Sequence, residues 1–285
     1  MKDFTNRVAV ITGAGSGIGR ELATQLASEQ CHLALSDIDP AGLEETKRLC
    51  ESHSVNIFMK VCDVAKLEDV ENFRNAVKQE FGSVDLLFNN AGVGFRGEVA
   101  HSSYADYEWI MGINFWGVLH GCKEFMPIMS SGRTTHIINI SSVYGLMAVP
   151  TQSAYNASKF AVRGFTESLY QELKGSSVNV SCVLPGGVRS NIVENSRSSD
   201  SSEDSAAFVE AQKSEFESLL RTTPRKAAET ILTGVKRNRF RILVGADAKA
   251  IDRMVRHLPF WYTKVVGWTM QLSDYRLRRR VESHS

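Results

Sequence analysis

Tyr155 and Lys159 stand four residues apart in a segment whose apolar residues recur at helical spacing, so both side chains lie on one helix face and can meet the same small molecule. A phenol with its ordinary pKa near 10 is a poor base at neutral pH, and acid–base work wants a value nearer the working pH. A lysine ammonium beside it favours the phenolate. Such a pair could pass a proton to or from a substrate oxygen. Tyr-x-x-x-Lys spacing is weak evidence taken alone, so the chemistry must be sought in what else the chain can hold.

Near the N-terminus an apolar run ends in Thr12-Gly13-Ala14-Gly15-Ser16-Gly17-Ile18-Gly19, followed directly by the helical pattern Arg20-Glu21-Leu22-Ala23. Glycines there permit a tight turn and close backbone approach, so that a pyrophosphate can sit on the free N–H groups of a helix N-terminus. The spacing is G-x-x-x-G-x-G rather than the G-x-G-x-x-G of the common dinucleotide fingerprint, and a glycine-rich turn without a ligand is the alternative. Asp37 stands at the end of the second apolar run, 18 residues past Gly19. That is close to the offset of ~20 at which an acidic residue meets the adenosine ribose. A carboxylate there bonds the hydroxyls of NAD and repels the 2′-phosphate of NADP. Neither Ser16 nor Ile38 is basic, so NAD is the expected cofactor. Oxidised nicotinamide would add to the pull of Lys159 on the Tyr155 phenol, and a combined shift of roughly 2 to 3 units amounts to about 3 to 4 kcal/mol. Lys159 then has the expected role of lowering the tyrosine pKa.

The elements that must position these groups are legible in the hydrophobic pattern. Short apolar runs at Val8 to Ile11, Leu33 to Leu35, Val55 to Met59, Leu86 to Phe88, Ile137 to Ile140 and Val178 to Leu184 alternate with segments of helical spacing. Those segments are Gly17 to Ser28, Pro40 to Glu51, Leu67 to Phe81, Tyr104 to Met129 and Ser153 to Leu173. Buried strands alternating with helices predict an α/β fold: a single Rossmann-like, doubly wound parallel sheet flanked by helices. A helix from Pro224 to Val235 and a strand from Arg241 to Val244 follow, and a C-terminal helical extension completes the prediction. The expected organisation is one catalytic domain over 1–246, with a serine- and charge-rich substrate lid at 190–223, and an amphipathic extension over 247–285.

With 285 residues, 43% of them hydrophobic, the chain can bury a full core, and its net charge of +1 offers no field to recruit nucleic acid. Five scattered cysteines lack ligand spacing, and His32, His53, His101, His120, His136, His257 and His284 form no HxxxH or HxH set, so no metal is expected. The strand pattern starts at Arg7, which leaves no room for a signal peptide, and no apolar stretch reaches membrane-span length, so a cytoplasmic protein is the expectation.

Taken in order, TGAGSGIG at 12–19, Asp63-Val64, Asn89-Asn90-Ala91-Gly92, Asn114, Ser142, Tyr155-Asn156-Ala157-Ser158-Lys159 and Pro185-Gly186-Gly187-Val188 resemble the motif series of the short-chain dehydrogenase/reductase family over Val8 to Ser190. The resemblance implies a catalytic set of Asn114, Ser142, Tyr155 and Lys159. In that set Ser142, 13 residues before Tyr155, orients the substrate oxygen, and Asn114 holds a water for proton relay. It places Gly13, Ser16, Gly17, Ile18 and Gly19 at the pyrophosphate and Asp63 and Val64 at the adenine. Asn90, Ala91 and Gly92 then lie near the adenosine ribose, and Pro185, Gly186 and Val188 lie along the nicotinamide. Ser190 stands where the family usually has threonine. It further implies a homo-oligomer, dimeric or tetrameric.

The expected activity is hydride transfer between NAD and a secondary alcohol, ketone or aldehyde. Phe95, Leu146, Met147, Val149 and Phe208 in variable loops suggest a lipophilic small-molecule substrate. The alternatives are an NADP-dependent carbonyl reductase and an NAD(H)-sensing binding protein without turnover. In the C-terminal arm Ile251, Met254, Val255 and Leu258 form an apolar face. Phe260, Trp261, Tyr262, Val265, Val266, Trp268 and Met270 follow, and then Arg276, Arg278, Arg279 and Arg280. Two readings stand open: a peripheral membrane contact, or a cover over the substrate pocket or a partner subunit.

Overall fold

The apolar runs become strands buried on both faces: all five residues of β1 (Val8–Thr12) and all six of β6 (Thr135–Ile140) are out of solvent. With β2 (His32–Asp37), β3 (Ile57–Val61), β4 (Leu86–Asn89), β7 (Val178–Pro185) and β9 (Arg241–Val244) they form a seven-stranded sheet in the order β3-β2-β1-β4-β6-β7-β9. Every pairing in it is parallel. The computed structural model describes residues 3–189, 196–199 and 221–268; most of the expected lid, Ser190 and Phe208 included, and the arm beyond residue 268 lie outside them.

Helices cover both faces. On one, α1 (Gly17–Ser28), α2 (Pro40–Cys50) and α7 (Pro224–Lys236) bury Leu22, Leu26, Leu43 and Ile231 against β1, β2 and β4. On the other, α3 (Leu67–Phe81), α5 (Gly117–Phe125) and α6 (Ser153–Glu172) bury Phe73, Phe125 and Val162. Local chemistry starts these helices where the pattern put them. Asp39 caps α2 through the Ala41 N–H with Pro40 next to it, and Thr223 caps α7 through Lys226 with Pro224 next to it; each cap is worth about 1 kcal/mol.

The single helix expected from Tyr104 to Met129 is instead four pieces. α4 (Tyr104–Met111) passes into a π turn at Gly112–Trp116, then α5, then a 3-10 turn at Met126–Ile128. The extra residue of a π turn swings one side chain off the helical register, and here that residue set includes Asn114. A second, two-stranded parallel sheet, β5 (Phe95–Gly97) with β8 (Arg197–Ser199), is too short to announce itself by alternation. α8 (Ala246–His257) follows β9 as expected. No helix among the described residues is long and apolar enough to cross a membrane.

Strand order reverses between β1 and β4, because β1 continues outward to β2 and β4 outward to β6. In doubly wound sheets the crevice at such a reversal, beyond the carboxyl ends of the strands, is where ligands bind. Thr12-Gly13 and Asn89-Asn90 end the two strands there.

Candidate active site

In the turn after β1 two glycines stand where a side chain would collide. A Cβ on Gly13, whose φ is +64°, would come within 2.7 Å of the Ala91 Cα. A Cβ on Gly15 would stand 2.9 Å from the Asp37 carboxyl carbon. The α1 N-terminus opens into this turn, and its N-cap residue Ser16 makes no capping hydrogen bond with its side chain. The first N–H groups of α1, at Gly17, Ile18 and Gly19, are therefore left to a ligand rather than to a cap. Asp37 is held in place by two backbone donors, Gly15 N–H to Oδ2 at 2.8 Å and Asp39 N–H to Oδ1 at 3.0 Å. Arg20 braces the turn from below, donating to the Gly15 and Gly42 carbonyls and, at 3.0 Å, to Thr46. A glycine turn opening on an uncapped helix N-terminus, with a fixed carboxylate beside it, could hold a dinucleotide.

Across the crevice, Asn90 donates through Nδ2 to the carbonyls of Thr12 and Gly13, both at 3.0 Å, while Thr12 Oγ1 accepts from the N–H groups of Asn90 and Ala91. Thr12 thus ties the two strand ends together, a role its place in the glycine motif did not reveal. Asp63 accepts from Ala65 N–H at 3.1 Å, and Val64 is buried against the Gly117 backbone, where a Cβ would strike it. Pro185 and Gly186 follow β7, with Gly186 N–H bonded to the Val244 carbonyl at 2.9 Å and Val188 bridged to Thr222. The carboxylate of Asp247 accepts from Gly187 N–H at 2.6 Å. Asp247, the first residue of the expected extension, thus anchors this turn.

Tyr155 and Lys159 share one face of α6 as expected, with the Lys159 Nζ 5.7 Å from the centre of the Tyr155 ring. Both are buried. Lys159 Nζ donates to the Ile140 carbonyl at 3.3 Å, and Ser142, two residues beyond β6, faces the phenol. Asn114 reaches the same cluster: its Oδ1 accepts from Val93 N–H at 2.9 Å, and its Nδ2 donates to the Val93 carbonyl and to Ser158 Oγ, each at 3.0 Å. Its amide is therefore used on protein partners, bracing the loop after Gly92. A Cβ on Gly92 would press on Asn114 Oδ1 at 3.1 Å and on Lys159 Nζ at 3.3 Å. Two residues missed from sequence complete the scaffold. Ser158 links Asn114 to the Tyr155 carbonyl. Asn156 donates to the Tyr144 and Met147 carbonyls, each at 2.9 Å, and so clamps the loop after Ser142. Both were visible within the Tyr-x-x-x-Lys motif, but nothing in its spacing says that they face inward.

Burial pushes the Tyr155 phenol up to about 12, with the Ser142 hydroxyl pulling it down and Tyr144 pushing it further up. Burial also pulls the Lys159 ammonium down to about 8. Burial is the largest influence on both groups, because each sits in a site that disfavours its charged form.

Around it Phe95, Ile110, Tyr107, Trp109 and Tyr144 form one apolar cluster with Tyr155. The Tyr144 ring meets that of Tyr155 edge-on at 5.8 Å. Of the other loop residues expected at the substrate, Leu146 is instead packed into the core with Cys182 and Leu184.

The family model described as short chain dehydrogenase matches residues 7–201. Among known proteins, SadH of Mycobacterium tuberculosis, whose description as an oxidoreductase is provisional, is 44% identical over 270 residues, 94% of this chain and 96% of its own. A solved short chain dehydrogenase/reductase from Burkholderia phymatum in complex with NAD superposes with a TM-score of 0.81 at 32% identity, covering 90% of this chain and 95% of that one. A metagenomic short-chain oxidoreductase in complex with NADP gives a TM-score of 0.68 at 26% identity, covering 85% and 97%.

Proposed function

This chain belongs to the short-chain dehydrogenase/reductase family of oxidoreductases, and from that premise we propose that it transfers a hydride between NAD and a lipophilic secondary alcohol, ketone or aldehyde. What carries the reading is the meeting of the Tyr155 phenol, the Ser142 hydroxyl and the Lys159 ammonium at the carboxyl edge of the sheet, beside a glycine turn with a carboxylate fixed at its side. Nicotinamide, when bound, supplies the carbon that gives or takes the hydride. In reduction Tyr155 donates its proton to the carbonyl oxygen while Ser142 donates a hydrogen bond to the same atom; in oxidation the phenolate takes the hydroxyl proton. Lys159 orients the cofactor ribose and steadies the phenolate, with the Ile140 carbonyl accepting from its Nζ and Ser141 Oγ donating to its backbone carbonyl. Gly13, Ser16, Gly17, Ile18 and Gly19 take the pyrophosphate, Asp63 and Val64 the adenine, and Asn90, Ala91 and Gly92 line the adenosine ribose. Pro185, Gly186 and Val188, with Ser190 outside the described residues, take the nicotinamide.

Preference for NAD over NADP rests on Asp37. Its carboxylate is fixed by two N–H donors and flanked by an exposed Ile38 rather than a basic residue. A lipophilic substrate is supported by the apolar cluster around Tyr155, and a homo-oligomer by membership of the family.

The test is a panel of alcohols and ketones followed at the NADH absorbance with both cofactors, repeated on Asp37→Ala combined with Ile38→Arg. Turnover with NAD, and a shift of the kcat/KM ratio toward NADP in the double variant, are expected. A wild-type protein that already prefers NADPH overturns the reading of Asp37.

A further inference from the structure

We propose that the C-terminal arm docks this protein on an anionic lipid surface, with α8 and the segment that follows it as the contact face. α8 turns Ala248 and Ile251 inward, leaves Met254 and Val255 half-buried, and exposes Lys249, Arg253 and Arg256. After it Phe260 is 85% exposed, Trp261 61%, Val265 43% and Trp268 63%, four large apolar side chains within nine residues. An isolated exposed aromatic is ordinary; a cluster of this kind marks an interaction site.

Charge chooses the occupant. Residues 247–285 carry eight Lys or Arg against four Asp or Glu, a net +4, while the whole chain carries +1, so the remainder is −3. Within the described part the two acids are already engaged, Asp247 by Gly187 N–H and Asp252 by Arg241 and Arg256, whereas Lys249, Arg253 and Lys264 are exposed. Lys264 Nζ stands 4.6 Å over the Trp261 ring, placing cation and indole at one level, as the headgroup zone requires. A second copy meeting this face across a two-fold axis would set the four bases of residues 247–268, which outnumber their two acids, against the same four bases, which disfavours association. Anionic lipid has the opposite sign.

The face also borders the candidate active site. Ile251 of α8 packs with Leu146 of the loop after Ser142, and Asp247 holds the turn at Gly187. Docking would therefore bring the mouth of the site to the membrane, where lipophilic molecules concentrate. The docking itself does not rest on the proposed catalytic reading, since lipid binding is measured without turnover.

The experiment is flotation of the full-length protein with phosphatidylglycerol-rich vesicles and, separately, with pure phosphatidylcholine vesicles, at salt from ~0.01 M to ~1 M, where the screening length falls from about 30 Å to about 3 Å. Binding to the anionic vesicles at low salt, lost at high salt, with a blue shift of tryptophan fluorescence, is expected. Trp261→Ser with Trp268→Ser should lower partitioning at least about tenfold, and Arg253→Glu with Lys264→Glu by a similar factor, since a basic residue near such a surface is worth about fivefold and its reversal more. Circular dichroism and NADH affinity should be unchanged in both variants. No flotation at low salt, equal binding to neutral vesicles, or variants that float like the wild type each overturn the proposal. Variants that instead change the sedimentation coefficient without lipid assign the face to a second copy.

Discussion

Replacing Gly15 with alanine tests the cofactor reading at a single methyl group. The backbone there has no positive φ that would penalise alanine, so the fold is not threatened. The added Cβ falls 2.9 Å from the Asp37 Cγ and Oδ2, where ordinary contact begins at 3.4 Å, so the carboxylate must retreat by roughly 0.5 Å. That retreat stretches the 2.8 Å bond from Gly15 N–H toward the limit of hydrogen bonding. A hydrogen bond to a charged group contributes about 1.5 to 3 kcal/mol, and the carboxylate is moved away from the ribose it is meant to meet. NADH affinity should fall about 10- to 100-fold. NADPH affinity should hold or improve, because the repelling charge has moved away from its 2′-phosphate. Fluorescence titration with both reduced cofactors, and a thermal melt within about 4 °C of wild type, check this. Equal loss of both cofactors, or unchanged NADH affinity, refutes the argument that Asp37 reads the ribose.

Tyr155→Phe should cost about 10² to 10⁴ in turnover while leaving NADH affinity near wild type, since the ring volume is kept and the proton is lost; activity within a few-fold of wild type sinks the proposed mechanism. Asp85 is fully buried beneath the sheet, taking Arg7 at 3.1 Å, Arg133 at 2.6 Å and Val8 N–H at 2.9 Å. Asp85→Ala should destabilise by about 3 to 5 kcal/mol in urea unfolding without changing cofactor affinity of the folded protein, and a loss under about 1 kcal/mol refutes this. His136 is buried and burial lowers its pKa to about 3. The unfolded chain therefore binds the extra proton between about pH 6.5 and pH 3, and stability should fall there by about 1.4 kcal/mol per pH unit as acid is added. In His136→Gln that component of the slope should vanish, and a slope identical to wild type counts against it.

Much of this architecture is local and so was readable in one dimension. Strands buried on both faces show as uninterrupted apolar runs, helices as a 3.6-residue period, and the phosphate turn as glycines between the two. Tyr155 and Lys159 share a face because helix geometry alone decides it. What sequence could not decide depends on partners far along the chain. The π turn that swings Asn114 onto Val93 and Ser158 is set by packing between α4, α5 and α6, and no local pattern marks it. Asn156, Ser158 and Asp247 become structural only because backbone groups 3 to 60 residues away take them as partners. The electrostatic setting of Tyr155 is likewise a property of burial: sequence shows the lysine four residues away, but only the assembled fold shows that both groups are buried, which raises the phenol and lowers the ammonium.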